Sequence, residues 1–354
     1  MYSSRLKRLS PYVPGEQPRD RGYLKLNTNE NPYPPSPRVV DLLASFPAEE
    51  LRRYPDPGSL RLRKAIAKRE GVGTAQIFAG NGSDEILSFC FYAFFDPDRG
   101  PVLFPRHTYS FYPVYCDFYG NTYERIPLAE DFTIPAGTVL SALEGSAGYI
   151  FPNPNAPTGI ETDPEDIERI AERARDLDLA VIVDEAYIEF GGVTAVPLLE
   201  RFDNLLVVKT FSKSHSLAGV RLGYAVGNKA MIEALTMVKD SFNSYPVDRL
   251  SEEIGIAAIG DEGYYRDINR RVAASRDRLS GAMRKEGWTV LPSKTNFVFM
   301  KKDGISGREI YERLKEGGIL VRYFAHPGIE EYVRVTVGTE EETETFIAAC
   351  RRLV

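Results

Sequence analysis

The sequence is poor in cysteine and histidine, and it has no long apolar run. Its three cysteines are odd in number and lack metal-ligand spacing, so we expect reduced thiols of a cytoplasmic protein and no metal site. The three histidines share no ligand spacing, and we interpret them as non-catalytic. No run approaches the roughly 20 apolar residues of a membrane span, and no signal-peptide pattern is found near the first residues. We therefore expect a cytoplasmic protein with no membrane partner.

An excess of basic residues is also missing. The formal net charge is −6, with 44 Lys and Arg against 50 Asp and Glu, which argues against a nucleic-acid partner. Basic clusters at 52–53 and 61–64 are balanced by acids and suit a solvated helix face. With 354 residues, 43% apolar and 27% charged, the composition is that of an ordinary globular protein long enough for two domains.

Short β-branched runs alternate with longer helical patterns through the middle of the chain. Six runs predict strands, at 76–79, 102–104, 148–151, 180–183, 205–208 and 222–226. Helical patterns between several of them cover 84–95, 108–119 and 164–177. This alternation is typical of an α/β fold whose mainly parallel sheet is covered by helices on both faces.

The C-terminal third has a different pattern, with one long helix at about 264–286 followed by short strands and further helices. We interpret it as a separate, smaller α+β domain. The first 46 residues are rich in Pro, Gly and Asn, and they are predicted to wrap the surface. The expected organisation is a large domain over 47–245, and a small domain at 246–354 that is joined by the N-terminal arm 1–46.

A lysine between small hydroxyl residues follows one of the predicted strands. Lys213 lies in the sequence Thr-Phe-Ser-Lys-Ser-His at 210–215, and Arg221 follows eight residues later. Such an amine can condense with an aldehyde cofactor, and the arginine can hold an anion nearby. Asp184 and Tyr187 follow another strand, where a carboxylate can keep a pyridine nitrogen protonated and a phenol can donate to the ring oxygen. Each feature alone is usually structural, but together they indicate pyridoxal 5′-phosphate (PLP).

A turn at 80–85 follows the first predicted strand and opens a helix. Backbone N–H groups and the helix dipole at such a position bind phosphate. The turn begins like a dinucleotide fingerprint, but Glu85 occupies the third glycine position and no clear ribose-binding acid follows. We therefore favour a cradle for a single phosphate, completed by Thr210, Ser212 and Arg221.

Three further residues are candidates for the substrate pocket. Arg334, in an alternating strand at 332–337, can clamp a carboxylate with two hydrogen bonds, and Arg322 can hold a second anion. Tyr109 can stack on the cofactor ring. The structural alternatives are a salt-bridged strand residue for either arginine and a core tyrosine for Tyr109.

Taken together and in this order, these motifs resemble the family of fold-type I PLP-dependent aminotransferases, and within it the subfamily that acts on histidinol phosphate. The resemblance covers nearly the whole chain, at 11–15, 26–33, 54–56, 80–85, 321–324 and 333–339. It implies a large domain with a mostly parallel seven-stranded sheet between helices, a small α+β domain and a homodimer. The implied reaction moves the amino group of L-histidinol phosphate to 2-oxoglutarate, giving imidazole-acetol phosphate and L-glutamate in histidine biosynthesis.

The resemblance also implies a role for each motif residue. Lys213 binds PLP and moves the proton, Asp184 pairs with the pyridinium, and Tyr187 binds the ring oxygen, while Tyr109 stacks on the ring. The implied phosphate ligands are Gly82, Ser83, Asp84, Thr210, Ser212 and Arg221, with Tyr54 reaching the phosphate of the neighbouring subunit. Arg334 is implied to bind the α-carboxylate of glutamate. Arg322, with Tyr12 and Asn29 nearby, is implied to bind the substrate phosphate or the side chain of glutamate.

Two positions depart from the family pattern. Ala156 stands where the wider superfamily often has asparagine before Pro-Thr-Gly, so Asn155 is the alternative donor to the ring oxygen. His107 stands where a proline often precedes the Thr-Tyr pair. Other functions remain open: a related PLP enzyme such as a threonine-phosphate decarboxylase or an aromatic amino acid aminotransferase, or a non-catalytic PLP-binding protein. The carboxylate clamp of Arg334 argues against the last.

Overall fold

The structure, a computed structural model, describes residues 2–18, 20 and 22–353. In these residues the helices are α1 (Pro37–Ser45), α2 (Leu60–Glu70), α3 (Gly82–Phe94), α4 (Phe111–Tyr119), α5 (Ala136–Ala142), α6 (Pro164–Asp176), α7 (Lys229–Phe242), α8 (Arg249–Ile259), α9 (Glu262–Lys285), α10 (Gly307–Glu316) and α11 (Glu340–Arg351). The strands are β1 (Leu24–Lys25), β2 (Ile77–Gly80), β3 (Val102–Pro105), β4 (Tyr123–Ile126), β5 (Gly148–Pro152), β6 (Val181–Asp184), β7 (Leu205–Thr210), β8 (Gly223–Gly227), β9 (Thr289–Val290), β10 (Phe297–Lys301), β11 (Ile319–Leu320), β12 (Arg322–Tyr323) and β13 (Val333–Thr336).

A seven-stranded sheet forms the centre of the molecule, in the order β2-β8-β7-β6-β5-β3-β4. Its strands run parallel except β8, which is antiparallel to both of its neighbours. This confirms the predicted α/β fold and all six predicted strands. The seventh strand, β4, escaped prediction because it is an edge strand with three exposed residues and no apolar alternation.

Both faces of the sheet are buried under helices. Successive strand residues point to opposite sides, so Val183 and Val207 pack with helices α2, α5, α6 and α8, whereas Ile182 and Leu206 pack with α3, α4 and α7. All four side chains are fully buried. Burial on both faces explains why these strands read as continuous apolar runs.

A four-stranded antiparallel sheet, in the order β12-β13-β10-β9, lies in the C-terminal part of the chain. Its core is closed by apolar residues of α9, α10 and α11. The N-terminal arm joins this part, because β1 pairs in parallel with β11. Among the described residues, none of the helices combines the length and apolarity that crossing a bilayer requires.

Helices on both sides of the predicted large domain, outside residues 47–245, pack into the core of the large sheet. Residues 37–45 form helix α1, whose Val39 is fully buried in the large core, so the prediction that the first 46 residues only wrap the surface is wrong there. Ile254 of α8 and Ile268 of α9 belong to the same core. The division at 47–245 remains a proposal, and this packing favours moving both of its boundaries outward.

Candidate active site

A cavity of about 260 Å³ opens where β5, β6 and β7 end, between the large sheet, the N-terminal arm and the four-stranded sheet. The carboxyl ends of parallel strands meet at one edge, where α/β sheets bind ligands. Most of the predicted site residues line it: Tyr12, Asn29, Ser83, Asp84, Tyr109, Asp184, Tyr187, Thr210, Ser212, Lys213, Arg221, Arg322 and Arg334. The lining does not include Tyr54, Gly82 or Asn155.

Lys213 follows β7 and projects its amine into the cavity. The Nζ atom donates to the carbonyl oxygen of Thr28 at 3.1 Å, and Asn31 Nδ2 donates to the Lys213 carbonyl at 3.1 Å. No carboxylate of the described residues forms an ion pair with this amine. Burial, with a further contribution from the nearby Arg334 guanidinium, lowers the pKa of Lys213 to about 8. About a tenth of the amine is therefore deprotonated at pH 7, the form that reacts with an aldehyde.

Asp184 is the last residue of β6 and is only 4% exposed. Its Oδ1 accepts from the Ala186 backbone N–H at 3.2 Å, and its Oδ2 accepts from the Tyr112 hydroxyl at 3.3 Å. Burial raises the pKa of Asp184 to about 7, even though these hydrogen bonds act in the opposite direction. Because burial disfavours the ionised form of this carboxyl, a cationic partner such as a pyridinium would stabilise its ionised form strongly.

The start of α3 and the end of β7 form a polar cradle. Glu85 Oε2 accepts from the Asn81 N–H at 2.7 Å, and the next N–H groups lie in the first turn of α3, where a helix has no internal acceptors. Across from them, Thr210 Oγ1 donates to Ser212 Oγ at 3.0 Å. Arg221 completes the cradle, with Nη1 at 3.4 Å from Ser212 Oγ.

Gly82 has a steric reason to be glycine at this cradle. Its φ is +79°, a conformation that side chains rarely adopt, and a Cβ there would lie 2.9 Å from Arg221 Nη2. The same guanidinium donates to Asp84 Oδ2 at 3.0 Å. Gly82 therefore contributes space for Arg221, although its own atoms do not line the cavity.

Tyr109 forms a wall of the cavity. Its hydroxyl donates to Asp84 Oδ1 at 2.6 Å, and its ring packs edge-on against Tyr112 with centroids 5.7 Å apart. Tyr109 precedes α4, which begins at Phe111. The observed helix therefore starts three residues later than the helix predicted over 108–119. The neighbouring N-terminal arm adds Tyr12, whose ring stacks on Phe111 at 4.5 Å.

Arg322 and Arg334 stand side by side, because they are register partners in β12 and β13. Arg334 Nη2 donates to the Asn27 carbonyl at 3.3 Å, while its buried Nε has no hydrogen-bond partner among the described residues. Arg322 is held by the carbonyl oxygens of Val13 and Pro14, at 3.2 and 3.4 Å. Neither guanidinium has a carboxylate partner within the described residues. Burial lowers the pKa of Arg334, and the pair is thus suited to anions from outside.

Two predicted residues have their side chains engaged elsewhere. Asn155 Nδ2 donates to the His107 carbonyl at 2.9 Å and to Thr158 Oγ1 at 3.1 Å, while Ala156 lines the cavity. This placement counts against Asn155 as a donor to a cofactor, because both N–H groups of its side-chain amide already donate within the protein. Asn29 lines the cavity, but its Nδ2 donates to the Tyr187 hydroxyl at 2.9 Å and its Oδ1 accepts from Thr336. Asn29 therefore supports Tyr187.

Sequence reasoning missed Tyr112 and Asn31, which contact Asp184 and Lys213. Asn31 lies in the stretch 26–33, one of those that carry the family resemblance. Tyr112 belongs to no motif, and only its position three residues after Tyr109 connects it with the site. The described residues contain no group of three or more His, Cys, Asp and Glu side chains that is arranged to hold a metal ion.

Comparison with known proteins gives one consistent family. The family described as aminotransferase class I and II matches residues 21–350. The histidinol-phosphate aminotransferase of Syntrophus aciditrophicus (strain SB) is 55% identical over 354 residues, 100% of this chain and 98% of that protein. The enzyme of the same name from Chromohalobacter salexigens is 48% identical over 98% of this chain and 97% of its own. Among solved structures, histidinol-phosphate aminotransferase from Sinorhizobium meliloti in complex with pyridoxal-5′-phosphate has a TM-score of 0.89 at 24% identity, covering 100% of this chain and 98% of that one. This last likeness shows the shared fold.

Proposed function

We propose, from the premise that the chain belongs to the class I and II aminotransferase family, that it is a PLP-dependent histidinol-phosphate transaminase. It moves the amino group of L-histidinol phosphate to 2-oxoglutarate, giving imidazole-acetol phosphate and L-glutamate in histidine biosynthesis. The observation that carries this conclusion is the 55% identity to a protein of that name over nearly the full length of both chains. As a biosynthetic enzyme it is assigned to the cytoplasm.

The cavity residues fit PLP. Lys213 offers a partly neutral amine, Asp184 a buried carboxyl suited to a pyridinium, and Tyr187 a hydroxyl for the ring oxygen. The cradle of Ser83, Asp84, Thr210, Ser212 and Arg221 supplies N–H groups, hydroxyls and a guanidinium for a phosphate, with Gly82 leaving the space. When bound, PLP supplies an electron sink for the carbon from which the substrate proton is removed.

The protein's own groups bind the substrate, orient it and move its proton. Lys213 Nζ would hold the cofactor and would move the proton that leaves the substrate Cα. Tyr109 and Tyr187 would hold the cofactor ring in place. Arg334 binds the carboxylate of glutamate, and Arg322 binds the substrate phosphate or the second carboxylate of glutamate. One pair of arginines thus serves both half-reactions, as a ping-pong mechanism requires.

A half-reaction tests this function. Purified protein with bound cofactor is mixed with L-histidinol phosphate alone, and the visible absorbance of the cofactor is followed. We expect the absorbance to be lost with histidinol phosphate and restored by 2-oxoglutarate. An unchanged spectrum, together with bleaching by an aromatic amino acid or carbon dioxide release from phosphothreonine, would keep the fold and overturn this substrate.

A homodimer is part of the proposal. Tyr54 lies outside the cavity of its own chain, is 80% exposed, and stacks on Tyr245 with centroids 4.8 Å apart. An exposed, preformed aromatic pair suits contact with a second subunit, whose phosphate cradle Tyr54 would reach. Mixing inactive Lys213→Ala protein with weakened Tyr54→Ala protein should restore activity, since hybrid dimers then carry one intact site. Activity equal to the sum of the separate variants would count against a shared site.

A further inference from the structure

A second cavity, of about 230 Å³, lies beside the active site. The two cavities adjoin, because five residues line both of them: Thr108, Tyr109, Ser110, Pro157 and Phe324. Phe104, a fully buried residue of β3, contributes to its floor. None of the predicted roles of the active-site residues uses this space.

Four basic side chains line the second cavity: Arg106, His107, Arg125 and His326. They come from three separate parts of the chain, namely the segment after β3, strand β4, and the loop after β12. Phe104 and Arg125 are register partners, and the ladder continues where the Arg106 N–H donates to the Ile126 carbonyl at 2.7 Å. Partners in neighbouring strands project from the same face, so the fold gathers these cations at one place.

These basic groups are not neutralised inside the protein. No residue that lines this cavity in the described part of the chain is acidic, and neither Arg106 nor Arg125 forms an ion pair there. Arg125 instead lies over the Tyr123 ring, 5.4 Å from its centre. Burial, then the fields of Arg106, His326 and Arg125, lower the pKa of His107, although Glu330 acts in the opposite direction. Arg106, Arg125 and His326 are exposed, so water screens part of their mutual repulsion, and a bound anion would relieve the rest.

We propose that this second cavity is an additional anion site, adjoining the reaction site, that binds a phosphate group, either free or as a monoester. Two guanidinium groups suit the paired oxygens of a phosphate, and the His107 imidazole can gain a proton as the anion binds. The volume exceeds the roughly 30 Å³ share of one water several times over, so a phosphate group has room. The inference is independent of transamination, because its ligand is recognised without the cofactor.

Histidine NMR tests the proposal on the full-length protein with its cofactor bound. The chain has three histidines, so labelling at Cε1 gives three signals, and the buried His215 serves as an internal reference. Inorganic phosphate and glycerol phosphate are titrated separately against sodium chloride of equal ionic strength. We expect either probe to raise the pKa of His107 by about half a unit or more and to shift the His326 signal, while the His215 signal stays unchanged. A response to glycerol phosphate alone would identify the monoester as the ligand, and a response to both would admit free phosphate.

Three variants locate the binding site. Arg125→Gln should abolish the phosphate response of His107, whereas Arg169→Gln, which removes an exposed charge on α6, should retain it. Arg322→Gln should also retain it, since Arg322 belongs to the active-site cavity. The proposal is overturned if sodium chloride gives the same shift as both probes, if Arg125→Gln keeps the response, or if Arg322→Gln removes it.

Discussion

Two lysines at the end of β7 have opposite surroundings. Lys209 is a buried residue of β7, with its Nζ 2.9 Å from a carboxylate oxygen of Glu70 and 3.6 Å from one of Glu185. Burial alone lowers the pKa of Lys209, but the fields of Glu185, Glu70 and Glu189 outweigh it and the pKa is raised. Lys213, four residues later, has no such partner, and its pKa falls to about 8. Burial of a lysine therefore does not make it reactive; burial without a carboxylate does.

The two acids at the carboxyl end of β6, Asp184 and Glu185, show the same contrast between neighbours. Asp184 faces the cavity, whereas Glu185 faces the opposite side and accepts from Thr194 Oγ1 and the Ala195 N–H, both at 2.6 Å. Alternation along a strand separates the two carboxyls. The proposed catalytic pair, Asp184 and Lys213, and the buried ion pair, Glu185 and Lys209, both consist of an acid and a lysine. Mutations can separate their roles.

The largest expected effect is on catalysis at Lys213. Lys213→Ala should lower transamination by more than about 10⁴-fold, because both the reactive amine and the proton carrier are removed. The free energy of unfolding of the cofactor-free protein should not fall, because the amine makes a single hydrogen bond in the described structure, to the Thr28 carbonyl, and burial disfavours its charged form. Steady-state kinetics and denaturant unfolding check both parts. Retained turnover would sink the assigned mechanism.

At Lys209 the expected effect is on stability. Lys209→Met leaves Glu70 and Glu185 buried without their cation, which should cost about 3–5 kcal/mol in the free energy of unfolding. Protein that remains folded should keep most of its activity. Lys229→Met, which removes a lysine from an exposed ion pair with Glu233, is the control and should change stability by less than about 1 kcal/mol. Equal losses of unfolding free energy in the two variants would mean that the buried ion pairs of Lys209 stabilise the fold no more than the exposed one of Lys229.

A third prediction concerns pH and Asp184 in the cofactor-free protein. The carboxyl releases its proton near pH 3.8 when unfolded and near pH 7 when folded, so the folded state binds more protons between these values. Stability should therefore fall as pH rises through this window, by about 1 kcal/mol per pH unit. Asp184→Asn should lack this slope. Denaturant unfolding between pH 5 and 7 measures it, and equal slopes in the two proteins would contradict the raised pKa.

The smallest effect is expected at Tyr112. Tyr112→Phe removes the hydroxyl that donates to Asp184, and the lost hydrogen bond should destabilise the ionised carboxylate by about 1 kcal/mol. Cofactor affinity should therefore fall roughly fivefold. Tyr149→Phe is a matched control, because the buried Tyr149 hydroxyl has no hydrogen-bond partner among the described residues. Fluorescence titration with PLP compares the two. A similar loss in both variants would assign the effect to packing.

Several parts of the site were predictable because they depend on local order along the chain. A run of apolar residues followed by Asp184, or by Lys213, places both groups at one edge of a parallel sheet, and the structure brings them to one cavity. The edge strand β4 was missed because it shows no apolar alternation. Helix α1 was missed because the first 46 residues were judged by their Pro, Gly and Asn content, although Pro37 at the first helical position and the apolar residues that follow it are helix signals. Asn155 was chosen by position in a motif, and the turn directs its amide to His107 and Thr158 instead.

By itself, the sequence determined the residue types, their order and the alternation of strands with helices, which together define the fold and the family. Only the tertiary structure decided which lysine is paired, because Glu70 reaches Lys209 from 139 positions away. It also decided that Arg322 and Arg334 stand together, through the register of β12 and β13. The physical reason is that a charge responds to distances through space, and those distances are set by packing between segments remote in the chain.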